Sequence, residues 1–232
     1  MMKIAIATRN THKAREIQEI LNGNFEFLNL NDFPNAPSAR EDAASFAGNA
    51  IKKASTLAGW LARNPAPPLE KFSCADAPVY IIADDSGLEV DALDGAPGVH
   101  SARFAADRAV AGQNATDAAN NAKLLDCLKS VPPQKRTARF RCAVAIIRLR
   151  LGDIPGASRP PRPAEPLLFE GVCPGRIALA PAGRGGFGYD PLFIPEGRAE
   201  SFAQLGEDVK NSFSHRALAL QKLKQFLQRN FA

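Results

Sequence analysis

The sequence predicts an α/β protein. Short apolar runs rich in β-branched residues recur along the chain, amphipathic segments with a 3.6-residue apolar period follow them, and proline and glycine punctuate the joints. The 232 residues suit one large domain or two lobes sharing a core. Net charge is a modest +5, and lysine and arginine never form a block of five or six. Charge alone therefore does not choose between nucleic acid, an anionic surface and a small phosphorylated substrate. Cys74, Cys127, Cys142 and Cys173 are widely spaced without a C-x-x-C. That argues against a zinc or redox motif and predicts reduced thiols, mostly in core positions, in a cytoplasmic protein. The N-terminal apolar run turns polar at Thr8, too soon for a signal peptide, and no apolar run approaches the roughly 20 residues that span a bilayer.

Lys3 to Ala7 reads as a strand. Thr8-Arg9-Asn10-Thr11-His12-Lys13 is a polar loop, and Ala14, Ile17, Ile20 and Leu21 form the stripe of a helix whose Arg15, Glu16, Gln18 and Glu19 face water. A strand, polar loop and helix in this order offer free N–H groups and a positive dipole end to an anion. The Walker glycine spacing is absent, and a capped turn explains the same residues. Phe25 to Leu30 is a second strand, and residues 31–40 a polar loop. A longer helix follows with Ala47, Ala50, Ile51, Ala54, Leu57, Ala58 and Leu61 as its stripe and Asn49, Lys52, Lys53 and Thr56 off it. Glu41, ahead of that helix, reads either as a favourable charge at its N-terminus or as a metal ligand. Residues 63–78, punctuated by Pro65, Pro67, Pro68 and Pro78, form an irregular insert.

Val79 to Ala83 is a buried strand, and Asp84-Asp85-Ser86-Gly87 follows at once. Adjacent carboxylates repel each other and sit comfortably only with a cation or in water. A solvated strand end with a turn at Gly87 is one reading. The tail Gly95-Ala96-Pro97-Gly98 and Ser101-Ala102-Arg103 supports another, a shaped loop carrying a cation close to the acid pair. Thr116 caps a helix with Ala119, Leu124, Leu125, Leu128 and Val131, which Pro132-Pro133 ends. Residues 136–151 form a long strand with Ala138, Phe140, Cys142, Val144 and Ile146 on one face and Arg139 and Arg141 on the other. Phe140 is thus turned away from the arginines, no basic-aromatic platform forms, and no nucleic-acid partner is expected. Residues 152–166 are a second proline-rich insert, and residues 167–180 read as a hairpin around Pro174-Gly175.

Gly183 to Gly188 matches G-x-G-x-x-G, but Tyr189-Asp190-Pro191 follows where a dinucleotide fingerprint must open a helix. A glycine loop packed on the core and a slot for a planar ring both remain. In the slot reading Phe187 stacks and Asp190 accepts from a ring N–H. Ser214 caps a last helix with Ala219, Leu220, Leu223, Phe226 and Leu227 as its stripe. Lys210, His215 and Arg216 together suit an anion or a base edge. No nucleophilic triad is evident. Phosphate donors, a carboxylate cluster, an aromatic glycine loop and a second basic cluster together suit a nucleotide.

The segments Thr8–Lys13, Asp84–Arg103, Gly186–Pro191 and Lys210–Arg216 resemble, in order, the motifs of the inosine/xanthosine triphosphate pyrophosphatases. That resemblance implies Mg²⁺-dependent hydrolysis of XTP, ITP and dITP to monophosphate and pyrophosphate. It implies Asp85 as proton acceptor and metal ligand, with Glu41 as a further metal ligand. Thr8, Arg9, Asn10, Thr11, His12 and Lys13 would hold phosphate, with Lys53 as a helper. Ser86, Phe187, Gly188, Tyr189, Asp190, Lys210, His215 and Arg216 would contact nucleotide. It further implies an elongated mixed β-sheet flanked by helices, in two lobes with a central cleft, over residues 1–232, and a homodimer without a membrane partner. Arg9 stands where the family has glycine, which predicts a different backbone in the first loop. The alternatives are a broader or modified-pyrimidine triphosphate pyrophosphatase and, in another class, a nucleotide- or RNA-binding module without chemistry.

Overall fold

A computed structural model describes residues 1–64, 78–106, 114–149 and 164–231. Most of both proline-rich inserts, and Cys74, lie outside the described residues. The strands are β1 (Met2–Ile6), β2 (Phe25–Asn29), β3 (Val79–Val90), β4 (Thr137–Leu149), β5 (Leu167–Ile177) and β6 (Phe193–Pro195). They form one sheet in the order β2-β1-β3-β4-β5-β6. It is mixed: β1 runs parallel to β2 and β3, while β5 and β6 are antiparallel. The helices are α1 (Thr11–Leu21), α2 (Phe46–Arg63), α3 (Asp117–Cys127), α4 (Phe202–Leu205), α5 (Glu207–Phe213) and α6 (His215–Phe231). The chain divides into two compact units, residues 1–85, 143–169 and 220–232 in the first and residues 86–142 and 170–219 in the second.

In the first unit, Ile4 and Ile6 of β1 pair in register with Tyr80 and Ile82 of β3. The core is apolar: Ile4, Ile6, Ile17, Leu21, Leu57, Leu61, Ile81, Ile82 and Leu223 are sealed from solvent. Asn10 caps α1 by accepting from the Lys13 N–H (3.0 Å), and Ser45 caps α2 by accepting from Gly48 N–H (3.1 Å). From β1 the chain steps to β2 on one side and then returns to β3 on the other. Right-handed crossovers leaving a strand in opposite directions put their helices on opposite faces of the sheet. The carboxyl ends of β1 and β3 thus form a switch point, where open α/β sheets take their ligands.

In the second unit, Leu88, Val90, Leu124, Leu128, Phe140, Tyr189, Phe193 and Phe202 form one buried cluster. Phe140 meets Phe193 edge-on at 4.6 Å between centroids and stacks on the His215 ring at the same distance. Arg139 and Arg141 are paired with Glu89 of β3, Arg139 also with Asp91, and Arg141 with Glu170 of β5.

Several expectations change. β3 does not turn at Gly87 but runs on to Val90, because Leu88 and Val90 resume the buried alternation. The expected hairpin at Pro174-Gly175 is one continuous strand, β5. Gly175 faces Pro195 of β6, and the Pro174 carbonyl accepts from Glu196 N–H (2.9 Å). β6, α4 and α5 are too short to leave a period. Glu16 and Asn49, expected off the apolar stripes, are buried. Arg9 does not adopt a left-handed backbone, so its position needs no glycine.

α6 approaches closely at Gly171 of β5. An added Cβ would collide with the His215 carbonyl and sit 2.7 Å from the Ala219 nitrogen. Gly171→Ala is expected to lower stability by about 1–3 kcal/mol or more in chemical denaturation, since backbone must move to admit one methyl.

Candidate active site

Asp84 and Asp85 follow the last β1–β3 pair, beside the point where β1 ends. Ala7 N–H donates to the Ile82 carbonyl (2.7 Å), and β3 runs on beyond the last residue of β1. Successive strand side chains point to opposite faces. Asp84 Oδ2 meets Lys13 Nζ of α1 at 3.1 Å, and Asp85 Oδ1 meets Lys53 Nζ of α2 at 2.9 Å. The adjacent carboxylates therefore do not share one site. Lys53 also pairs with Glu41 Oε2 at 2.9 Å and donates to the Asp84 carbonyl at 3.2 Å. Glu41 thus meets a lysine rather than a helix end. The acid pair meets Lys13 and Lys53 from α1 and α2, cations that the sequence reading did not pair with it.

Burial pushes the Asp85 carboxyl above the ordinary carboxylate range, against the pull of Lys53 and Lys13. Burial would lower the Lys53 ammonium, but Asp85, Glu41 and Asp84 outweigh it and hold it above its usual value. Asn49, 0% exposed, completes the cluster. Its Nδ2 donates to Asp85 Oδ2 (3.1 Å), and its Oδ1 accepts from the Ala43 N–H (2.9 Å). Among the described residues no group of three or more His, Cys, Asp or Glu is arranged to hold a metal. Glu41 and Asp85 are a pair of carboxylates converging on one ammonium.

In the first loop, Asn10 N–H donates to Thr8 Oγ1 (3.1 Å), and Thr11 and His12 open α1 with their side chains exposed. Arg9 is used differently from the expectation. Its guanidinium donates to the Leu30 and Ala36 carbonyls, both at 2.9 Å, and so braces the loop after β2.

The second unit gathers the other expected residues. Arg216, 1% exposed, donates to Ser86 Oγ (2.9 Å) and lies 5.7 Å from the centre of the Phe187 ring. Lys210 lies 4.5 Å from that ring and pairs with Asp190 Oδ2 at 2.7 Å. Asp190 Oδ2 also accepts from Phe187 N–H (2.9 Å), so Asp190 folds the loop where the sequence suggested a ring acceptor. Tyr189 is turned inward, its hydroxyl donating to the Ser101 carbonyl (2.9 Å); burial, then the Asp117 charge, pushes that hydroxyl's pKa up. His215 stacks on Phe140. Asp85 and Ser86 are consecutive, so the two clusters are joined by one peptide bond.

Sequence reasoning missed Asn49, Asp117 and Asn121. The last two hold the Gly188 peptide: Asp117 Oδ2 accepts its N–H (2.7 Å), and Asn121 Nδ2 donates to its carbonyl (2.9 Å). A polar residue on the apolar side of its helix, one turn before Leu124 and Leu125, was the available signal for Asn121, whereas Asn49 lies off the apolar stripe.

This arrangement defines a nucleotide-directed α/β protein with its acid–lysine cluster at the sheet's switch point. The chain belongs to the Ham1 family, whose model matches residues 4–226. It is 44% identical over 228 residues to a dITP/XTP pyrophosphatase of Geobacter sulfurreducens, covering 98% of this chain and 97% of that protein. Its fold is similar to that of a HAM1 protein from Coxiella burnetii, with a TM-score of 0.73 and 33% identity over 99% of this chain and all of the other. It is also similar to a nucleoside-triphosphatase, dITP/XTP pyrophosphatase, from Mycobacterium abscessus, with a TM-score of 0.62 and 36% identity over 96% and 98% of the two chains.

The raised Asp85 carboxyl has a consequence for stability. Between its unfolded and native pKa values the folded chain binds more protons, so this group's contribution falls as pH rises through that window. At neutral pH ionised Asp85 therefore subtracts from the stability of the metal-free protein. Asp85→Asn is expected to unfold at the same or a higher temperature at pH 7, an advantage that vanishes below about pH 4. Thermal unfolding with chelator across this range checks it. A less stable variant at pH 7 would mean that the Lys53 ion pair outweighs burial.

Proposed function

We propose that this chain hydrolyses the non-standard purine nucleoside triphosphates XTP, ITP and dITP to the monophosphate and pyrophosphate. The observation that carries this reading is the pairing of Asp84 and Asp85 with Lys13 and Lys53 beside the loop that opens α1. The likeness to relatives named dITP/XTP pyrophosphatase supports the same reading.

Asp85 is the proton acceptor for the attacking water. Its carboxylate is held from two sides, by Lys53 and Asn49, and an acid raised above its ordinary pKa is a better base than an exposed aspartate. The N–H groups at the start of α1, those of Thr11 and His12 among them, bind the phosphate chain together with Thr8, Asn10 and Lys13. Lys13 and Lys53 oppose the charge that develops on the leaving pyrophosphate. Arg9 braces this loop rather than touching phosphate.

Glu41 and Asp85 would hold Mg²⁺. Their oxygens are hard donors that converge at Lys53, and a nucleotide-site Mg²⁺ usually takes one or two carboxylates and completes its shell with phosphate and water. Two lysines here face three carboxylates, so the cluster is already net negative before a triphosphate arrives. When bound, Mg²⁺ supplies charge neutralisation on the phosphate oxygens and acidifies a bound water.

In the second unit, Phe187 stacks on the base while Lys210, Arg216, Ser86 and His215 meet its edge. Lys and Arg side chains only donate. A 6-keto purine brings an acceptor to them, whereas adenine brings an amino donor that would leave buried donors facing each other. A cytoplasmic homodimer, implied by the family resemblance, belongs to the same proposal.

Pyrophosphate release from a panel of ITP, XTP, dITP, ATP, GTP and pyrimidine triphosphates tests the reading. Release is expected from the keto-purines, to be abolished by chelator and restored by Mg²⁺. Asp85→Asn is expected to lower kcat by about a hundredfold or more. Equal use of ATP, or full turnover by the Asn variant, would overturn the specificity or the proton-acceptor role.

A further inference from the structure

We infer that Asp117 and Asn121 of α3 are positioning residues for base recognition, acting through the Gly188 backbone on the Phe187 ring. This rests on the reading that Phe187 stacks on the base. The two residues lie one helical turn apart and so share a face. Asp117 takes the N–H of the peptide that follows Phe187, and Asn121 takes the carbonyl of the next peptide. With Asp190 holding the Phe187 N–H, polar contacts bracket the Cα that carries the ring on both sides.

At Gly188 itself packing adds little. Gly188 is left-handed, with φ +62°, and a Cβ on it would meet nothing within 4 Å. A cavity of about 510 Å³ lies against the loop, lined among others by Asp117, Asn121, Leu125, Arg184, Phe187 and Gly188. The two hydrogen bonds from α3 to Gly188 therefore help set the height of the ring above α3.

The choice of side chain at 121 supports the same inference. Asn121 is 8% exposed, and its Oδ1 has no hydrogen-bond partner among the described residues. A buried amide used at one end is a poor choice for stability, and leucine would fill the site better. What leucine lacks is the donor to the Gly188 carbonyl. Asp117 is exposed and opens α3, where a carboxylate also favours the helix, so the test must separate the two roles.

The full chain is compared with Asp117→Ala, Asp117→Asn, Asn121→Ala and Phe187→Ala by KM and kcat for ITP and by calorimetric binding of IMP. Asp117→Ala and Asn121→Ala are each expected to raise KM and weaken IMP binding about five- to tenfold, the loss of one well-placed hydrogen bond, with kcat within about twofold. Asp117→Asn, which keeps an acceptor oxygen, is expected to restore binding. In a Phe187→Ala background the α3 substitutions are expected to add nothing further. Unchanged KM and IMP affinity in Asp117→Ala, whose site is exposed and tolerant, or full additivity with Phe187→Ala, would overturn the inference alone. If Phe187→Ala itself changes neither quantity, the base-stacking reading falls and this inference falls with it.

Discussion

Two adjacent aspartates can stand inside this protein because a strand turns successive side chains to opposite faces. Asp84 is received by Lys13 from α1 and Asp85 by Lys53 from α2. The topology makes this possible, since β1 sits between β2 and β3 and the two crossovers send their helices to opposite faces. Each carboxylate therefore has its own cation, which offsets part of the desolvation of a buried charge, though at Asp85 burial still prevails. In the proposed function these charges are in place before substrate arrives. Fixed charges aimed at a phosphate chain act without reorganising at the moment of reaction.

The second unit solves a different problem. In the proposed function a base stacks on Phe187, a ring that is half-buried in this structure. The aromatic cluster of Phe140, Phe193 and Phe202 is rigid and buried, and Lys210 reaches from it to both Asp190 and the Phe187 face. Asp190 spends one oxygen on two donors, which fixes the turn at Gly186 and leaves the ring at the loop's crest. Polar contacts at Phe187 and Gly188 thus help shape the loop, and a cavity lies against it.

The periodic elements were legible in the residues. α2, α3, α6 and the alternating part of β4 appear where the apolar spacing puts them, and the caps Asn10, Ser45, Thr116 and Ser214 are polar residues of the expected types. The refusal of a dinucleotide fingerprint at Gly183–Gly188 also agrees with the structure, where turns and β6 follow the loop. What the residues concealed has a common cause. Gly87 and Pro174-Gly175 carry strong local turn signals, yet both lie inside strands, because buried neighbours and strand pairing outweigh a weak local preference. The functional clusters were legible as residue types but not as partners. Nothing in the spacing tells that Lys53 joins Glu41 to Asp85, or that Arg9 turns to the Leu30 and Ala36 carbonyls.

Asn49 shows why such partners matter more than their number. Asp85 already has a cation, so a second charged donor would only deepen the ion pair and lower the carboxyl's basicity. An amide donates to Asp85 without adding charge and, with its oxygen, holds the Ala43 N–H. Aspartate could not give the first bond and lysine could not accept the second. The loop that carries Glu41 is thereby tied to the same carboxylate that Lys53 ties to Glu41 itself. Two routes, one through an ammonium and one through an amide and the backbone, fix the spacing of Glu41 and Asp85. A buried polar residue of this kind is where a chain trades core quality for the geometry of a site.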